Sequence, residues 1–254
     1  MKSLSEKPLV SIVMPSFNSS DTIAKSISSV LSQTYDNWEL VIVDDFSSDD
    51  TLDKLKQFND PRIKIVALPS NSGSPAYPRN IGIEYSNGDY IAFLDSDDLW
   101  KEKKLEVQLK AMTSKGINFS CTGYTVLKDG NITRSFTPPE KVHYDQLLCN
   151  NSIGCLTAMV SKDLMGDLRF PLCGHEDFAL WLKLSKKTDY VLGIKTHLAE
   201  YNLVDGSVSS AKSKLIPFFW NIYRNEEGFS RTKSLYYCFL YLIHVLFFKY
   251  KKII

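Results

Sequence analysis

Gly88-Asp89-Tyr90-Ile91-Ala92-Phe93-Leu94-Asp95-Ser96-Asp97-Asp98 joins an apolar run to an acidic turn. Tyr90 to Leu94 has the length and β-leaning composition of a buried strand. Its end carries Asp95, Asp97 and Asp98 almost side by side. Carboxylates that crowded repel one another unless a cation sits among them. Hard oxygen ligands at the end of a rigid strand suit Mg²⁺ or Mn²⁺, ions that keep several waters and bridge to a substrate's phosphates. A competing reading makes the same acids a solvated turn that caps a helix starting near Leu99, since Asp and Ser favour such positions.

The chain before this stretch alternates strand and helix. Leu9 to Met14 reads as a first buried strand, stopped by Pro15. After the polar turn Ser16-Phe17-Asn18-Ser19-Ser20, Asp21 or Thr22 caps a helix with Ile23, Ile27, Val30 and Leu31 on one face. Trp38 to Val43 forms a second strand ending in Asp44-Asp45, and a helix follows over Thr51 to Phe58. Arg62 to Ala67 is a third strand, Asn71-Ser72-Gly73-Ser74 a loop, and Pro78-Arg79-Asn80 opens a helix to about Ser86. This order predicts an α/β fold, a mostly parallel sheet with helices on both faces. Such sheets bind ligands outside the carboxyl ends of their strands. Pro15 to Asn18, Asp44-Asp45 and Asp95 to Asp98 all fall at those ends and would form one nucleotide-sized site. No GxGxxG and no Walker A lysine motif is present, which disfavours a dinucleotide oxidoreductase and a P-loop ATPase.

With 254 residues the chain can bury a substantial core, and a net charge of +1 gives no electrostatic footprint for nucleic acid. Its cysteines (Cys121, Cys149, Cys155, Cys173, Cys238) are scattered, with no CxxC pair. Neither a disulfide framework nor a zinc site is supported, and reduced thiols in a cytosolic protein are expected. The leader Met1 to Pro8 lacks the pattern of a cleaved signal peptide. Beyond Gly116, Asn118 to Leu127 reads as a strand and Lys128-Asp129-Gly130-Asn131 as a hairpin turn. Gly174-His175-Glu176-Asp177 leads an apolar helix whose acidic start suits its dipole. Asp205 to Ser210 is a polar loop that could act as a lid.

Taken together, these residues resemble a family 2 glycosyltransferase of the GT-A fold. The likeness is carried, in order, by Val10 to Asn18, Val41 to Ser47, Pro78 to Gly82, Phe93 to Asp98 and His175 to Asp177. Glu176 to Leu184 and the tail most resemble bacterial surface-polysaccharide enzymes of the teichuronic-acid, capsule and O-antigen kind. The resemblance implies an inverting, metal-dependent transferase that moves a hexose or HexNAc from a UDP-sugar. It implies a catalytic domain over 1–215, with a nucleotide-sugar half over about 9–115 and an acceptor half over about 116–215, then a helical tail over 216–254. By similarity, Pro15, Ser16, Phe17 and Asn18 line the nucleoside pocket, with Asp44 and Asp45 beside them and Asp45 on the base. Arg79 lies near the nucleotide, with Asp95 and Ser96 at the same strand end. Asp95, Asp97 and Asp98 hold a divalent cation, Mn²⁺ or Mg²⁺; Asp177 matches the catalytic base, with Glu176 beside it. One departure stands out. Many relatives carry Tyr-Arg before the loop that follows, where this chain has Tyr201-Asn202, with His197 its nearest histidine.

Leu235 to Phe248 is apolar and aromatic almost throughout, preceded by Arg231 and Lys233 and followed by Lys249, Lys251 and Lys252. As a helix it rises about 21 Å, short of a ~30 Å hydrocarbon core. An interfacial helix over 231–254, held to anionic lipid at the inner face of a bacterial plasma membrane, fits better. Packing on the catalytic domain or in a homodimer contact stays open. A polyprenyl-diphosphate-linked saccharide would present itself at that surface as the acceptor. The alternative is a non-catalytic, membrane-associated module that binds nucleotide-sugar or glycan.

Overall fold

A computed structural model describes residues 7–203 and 215–244. The proposed lid, 205–210, and the end of the tail, 245–254, lie outside the described residues.

The first hundred residues build the parallel half of one sheet. Strands β1 (Val10–Ser16), β2 (Trp38–Asp44), β3 (Ile63–Ala67) and β4 (Tyr90–Phe93) lie in the order β3-β2-β1-β4. Helices α1 (Ile23–Leu31), α2 (Thr51–Leu55) and α3 (Ala76–Glu84) connect them. Side chains alternate across a strand, so β1 feeds two cores. Val10, Ile12 and Met14 pack with Ile23, Ile27 and Val30 of α1; Val13 packs with Ala76 and Ile83 of α3. The α3 contact is so close that a Cβ on Gly82 would sit 2.4 Å from Val13 Cγ1, which only glycine permits.

The second half extends the same sheet with mixed direction. Its elements are β5 (Leu99–Trp100), α4 (Lys104–Lys115), β6 (Phe119–Lys128), β7 (Asn131–Phe136), β8 (Lys141–Val142), α5 (Tyr144–Cys149), a 3₁₀ turn (Cys155–Thr157), β9 (Met159–Ser161), α6 (Lys162–Met165), α7 (Glu176–Ser185) and β10 (Val191–Asn202). Strand β9 inserts antiparallel between β4 and β6, and β6 runs parallel to β10. The expected hairpin is present. Asp129 and Gly130 both take positive φ, 51° and 77°, between β6 and β7, as a two-residue turn of matching twist requires.

Three expectations fail for tertiary reasons. Strand β1 does not stop at Pro15; it continues through it, with Pro15 opposite Val43. Leu94 N donates to Val13 O on the β4 side and Asp45 N to Ser16 O on the β2 side. Pro15, two residues from Val13, therefore turns its N toward the β4 side, where β4 has already ended, and no ladder bond is lost. Leu31 is 37 % exposed rather than core-facing. Leu99 starts no helix: Leu99–Trp100 pairs antiparallel with Glu200 and Ala199 of β10, and the helix begins only at Lys104.

The tail folds onto the second half. Helix α8 (Leu215–Asn221), a π-helical turn (Ile222–Glu226) and α9 (Arg231–His244) bury Phe219, Ile222, Tyr223 and Tyr241 in the core that holds Phe178. The opposite face of α9 exposes Leu235, Tyr236, Phe239 and Leu242. Among the described residues, no helix is long and apolar enough to cross a membrane.

Candidate active site

The carboxyl ends of β1, β2 and β4 meet at one rim, as their parallel register demands. At the end of β1, Asn18 takes φ 45°, a left-handed geometry that Asn tolerates. Its Oδ1 accepts from Ser48 N at 2.8 Å, and its N donates to Ser47 Oγ at 2.9 Å. Ser16 and Ser19 hydroxyls pair at 2.8 Å. At the end of β2, buried Asp44 accepts from Ser47 N at 2.9 Å and from Ser47 Oγ. Asp45 accepts from Ser72 N at 2.9 Å and Ser72 Oγ at 2.8 Å, which fastens the Asn71–Ser74 loop to the rim. Phe17 and Phe46 are left more than half exposed at these adjacent strand ends.

The end of β4 is built differently. Arg79 projects from α3 with only 5 % of its side chain exposed. Its guanidinium forks between Asp95 Oδ1 at 2.6 Å and Glu176 Oε1 at 2.7 Å and lies over the Phe170 ring. This fork joins the end of β4 to the start of α7. Trp181, fully buried against Phe93, Phe119 and Phe170, fixes α7 from behind. His175, just before α7, is left-handed at φ 57° and stacks on Phe219 of the tail at 5.3 Å. Asp177 is half-buried on the first turn, within electrostatic reach of Glu176.

Charge is not balanced here. Asp97 is pushed up to about 6, first by burial and then by Asp95. Asp98 is fully buried: Oδ1 accepts from Asn202 N at 2.9 Å, Oδ2 has no hydrogen-bond partner among the described residues, and burial with Asp97 and Asp95 raises it well above the usual carboxylate range. Burial also raises Glu176 despite Arg79. Among the described residues, one guanidinium thus faces the acids of two segments, a setting that a divalent cation would suit. Among the described residues, no three His, Cys, Asp or Glu side chains close around one point as a ready-made metal cage. The donors fit a hard ion that takes part of its shell from a bound phosphate.

Three contributors escaped the sequence reading. Asn202, in the place of the expected Arg, clamps the acidic turn: its N binds Asp98 and its Nδ2 donates to Asp97 O. Cys155 lies within electrostatic reach of Arg79, Asp95, Asp177 and Glu176, and burial holds its thiol well above its usual range. Tyr124 of β6 feels both Asp98 and Asp177. The only hint for Asn202 was its departure from pattern, and nothing local marks the other two. His197 sits away from this group, its Nε2 paired with Thr137 Oγ1 at 2.9 Å. Ser96 enters through its backbone, its carbonyl accepting from Ser26 Oγ at 2.9 Å.

A family model described as Glycosyl transferase family 2 matches residues 11–165. TuaG of Bacillus subtilis (strain 168), a glycosyltransferase assigned to teichuronic acid biosynthesis, is 43% identical over 239 residues, 92% of this chain and 94% of that one. WfgD of Escherichia coli, a UDP-Glc:alpha-D-GlcNAc-diphosphoundecaprenol beta-1,3-glucosyltransferase, is 39% identical over 238 residues, 92% of each chain. The crystal structure of S. aureus TarS 1-349 with UDP-GlcNAc superposes with TM-score 0.77 at 20% identity, covering 95% of this chain and 73% of that one. The likeness to TarS is one of fold, and it is the GT-A fold.

Proposed function

The chain belongs to glycosyl transferase family 2, and from that premise we propose that it moves a hexose or HexNAc from a UDP-sugar to a lipid-linked saccharide, with inversion, in the assembly of a bacterial surface polysaccharide. One observation carries the reading: Arg79 ties Asp95 to Glu176, the neighbour of Asp177, and the Cys155 thiol feels Asp95 and Asp177 alike, which supports one cleft for these acids. The nucleotide-sugar half is the parallel part of the sheet, over about 9–115, and the acceptor half follows over about 116–215. Pro15 to Asn18, Asp44 and Asp45 frame the nucleoside, with Phe17 and Phe46 offering exposed rings beside it.

Arg79, Asp95 and Ser96 would lie along the diphosphate, and Asp95, Asp97 and Asp98 would hold Mn²⁺ or Mg²⁺. When bound, the ion neutralises charge on the departing diphosphate. The acceptor hydroxyl attacks the anomeric carbon in line as the bond to UDP breaks, and its proton passes to Asp177. A single displacement inverts the centre and needs no enzyme nucleophile. Glu176 remains paired with Arg79 and fixes the turn on which Asp177 stands.

A donor screen by UDP release, with a diphosphate-lipid-linked GlcNAc acceptor and with or without Mn²⁺, tests the reading. Mn²⁺-dependent release from one donor is expected. Binding of UDP with no turnover from any donor would make the protein a binding module instead. The outer face of α9, flanked by Arg231 and Lys233, fits the inner face of the plasma membrane. Leu235→Ser with Phe239→Ser should release the protein from anionic vesicles in a sedimentation assay; unchanged partition would remove the membrane from the proposal.

A further inference from the structure

Lys104 opens α4 and is fully buried, a rare place for a lysine. Its Nζ donates to Gln108 Oε1 at 2.8 Å, one turn along, and lies 4.1 Å from the centre of the Trp100 ring. The Cys121 thiol of β6 faces it, and burial pulls the ammonium down to about 7. Gln108 and Trp100 each hold one carbonyl of the same turn. Trp100 Nε1 donates to Leu156 O at 2.8 Å. Gln108 Nε2 donates to Thr157 O at 2.9 Å and to Ser120 Oγ at 3.0 Å. Carbonyl oxygens only accept, so Ser120 O and Thr157 O require the NH₂ end of the Gln108 amide, and its oxygen is left to accept from Lys104 Nζ.

Leu156 and Thr157 share that 3₁₀ turn with Cys155. Strand β9 leaves the turn and returns antiparallel along β4, with Met159 opposite Ala92, which sets the turn beside the strand end that carries Asp95. The Cys155 thiol accordingly feels Arg79, Asp95, Asp177 and Glu176. Trp100 is itself two residues past Asp98.

We propose that Lys104, Gln108 and Trp100 are positioning residues, a buried bracket with Lys104 as its hub, which fixes the Cys155–Thr157 turn as one wall of the transfer cleft. The proposal rests on the reading of that cleft as the place of sugar transfer. Trp100→Phe keeps the ring under the ammonium but deletes the tether to Leu156. Gln108→Glu keeps an acceptor for Lys104 but loses the donors to Thr157 and Ser120. Val142→Ala, paired with Val191 at the start of β10 and buried in the core that holds neither Trp100 nor Leu156, serves as a control for general loss of stability.

In the full chain, both bracket variants should lower kcat about tenfold or more while KM for the donor stays within about threefold. Alkylation of Cys155 by iodoacetamide, followed peptide by peptide in a mass spectrometer, should accelerate about fivefold as the turn loosens. Val142→Ala should change neither. Bracket variants that track Val142→Ala in both readouts would overturn the proposal, as would faster alkylation with kcat unchanged. If the wild type turns over no UDP-sugar, the functional reading fails, and the alkylation rates alone decide whether the bracket holds the turn.

Discussion

Two acidic strand ends stand on the same rim and behave in opposite ways. At the end of β2, Asp44 is answered by Ser47 and Asp45 by Ser72, so each carboxylate is spent on fastening a loop. At the end of β4, among the described residues, Asp97 and the unpartnered Oδ2 of Asp98 share one guanidinium with Asp95 and Glu176. In the sequence both read as an apolar run ending in acids. What separates them is the supply of donors: serine hydroxyls and backbone N–H groups reach the first pair, while buried surroundings and like charges surround the second. A satisfied carboxylate stabilises a loop, whereas a crowded one gains from any cation brought beside it.

The sharpest way to break this contrast is to remove one acid from the crowded group. Asp97→Ala and Asp177→Ala should each cut transfer by about 10²–10⁴-fold with circular dichroism unchanged; full activity in either purified variant would end the assignment. Next in size is Arg79→Met, which leaves Asp95 and Glu176 facing each other without their cation. Denaturant unfolding should show a loss of about 3–5 kcal/mol, and Arg79→Lys should recover only part, because an ammonium cannot fork between two carboxylates. A cost near zero would mean that the fork does not hold β4 to α7.

Asp97 supplies a pH test. Its folded value, about 6, lies above the ordinary 3.8, so the fold grips this proton more tightly than the unfolded chain does. The stability it contributes is full below 3.8 and is lost as pH rises through about 6, an effect of about 3 kcal/mol. At the proposed site Mn²⁺ would compete with that proton, so it should raise the melting temperature by several degrees near pH 7.5 and by little near pH 5. An equal shift at both would place the ion away from Asp97. The smallest effect belongs to the satisfied end: Asp45→Ala should cost about 1.5–3 kcal/mol through loss of the Ser72 contacts and raise KM for the donor with kcat kept. A collapse of kcat would erase the distinction between the two strand ends.

The parallel half was readable because its signals are local. An apolar run of five residues and a polar turn announce β4 without any partner, and the Asp129-Gly130 hairpin needs only its own two positive φ angles. Leu99–Trp100 was not readable, because it is a strand only while β10 lies beside it. The same holds for Pro15, which sits within a strand because β4 ends first. Asp95, Asp97, Glu176 and Asp177 could be picked from the sequence as acids flanking apolar elements. Cys155, Lys104 and Gln108 could not, since each draws its significance from chain that returns from elsewhere.

Sequence alone determined which residues are ionisable and which segments alternate strand with helix, since both depend on side-chain chemistry and short-range periodicity. Tertiary structure decided which of those charges are answered. Whether Ser72 reaches Asp45, whether Arg79 spans from α3 to both β4 and α7, and whether Asn202 closes over Asp98 depends on contacts between residues far apart along the chain. Such distances are set by packing of the whole sheet, and no local pattern encodes them.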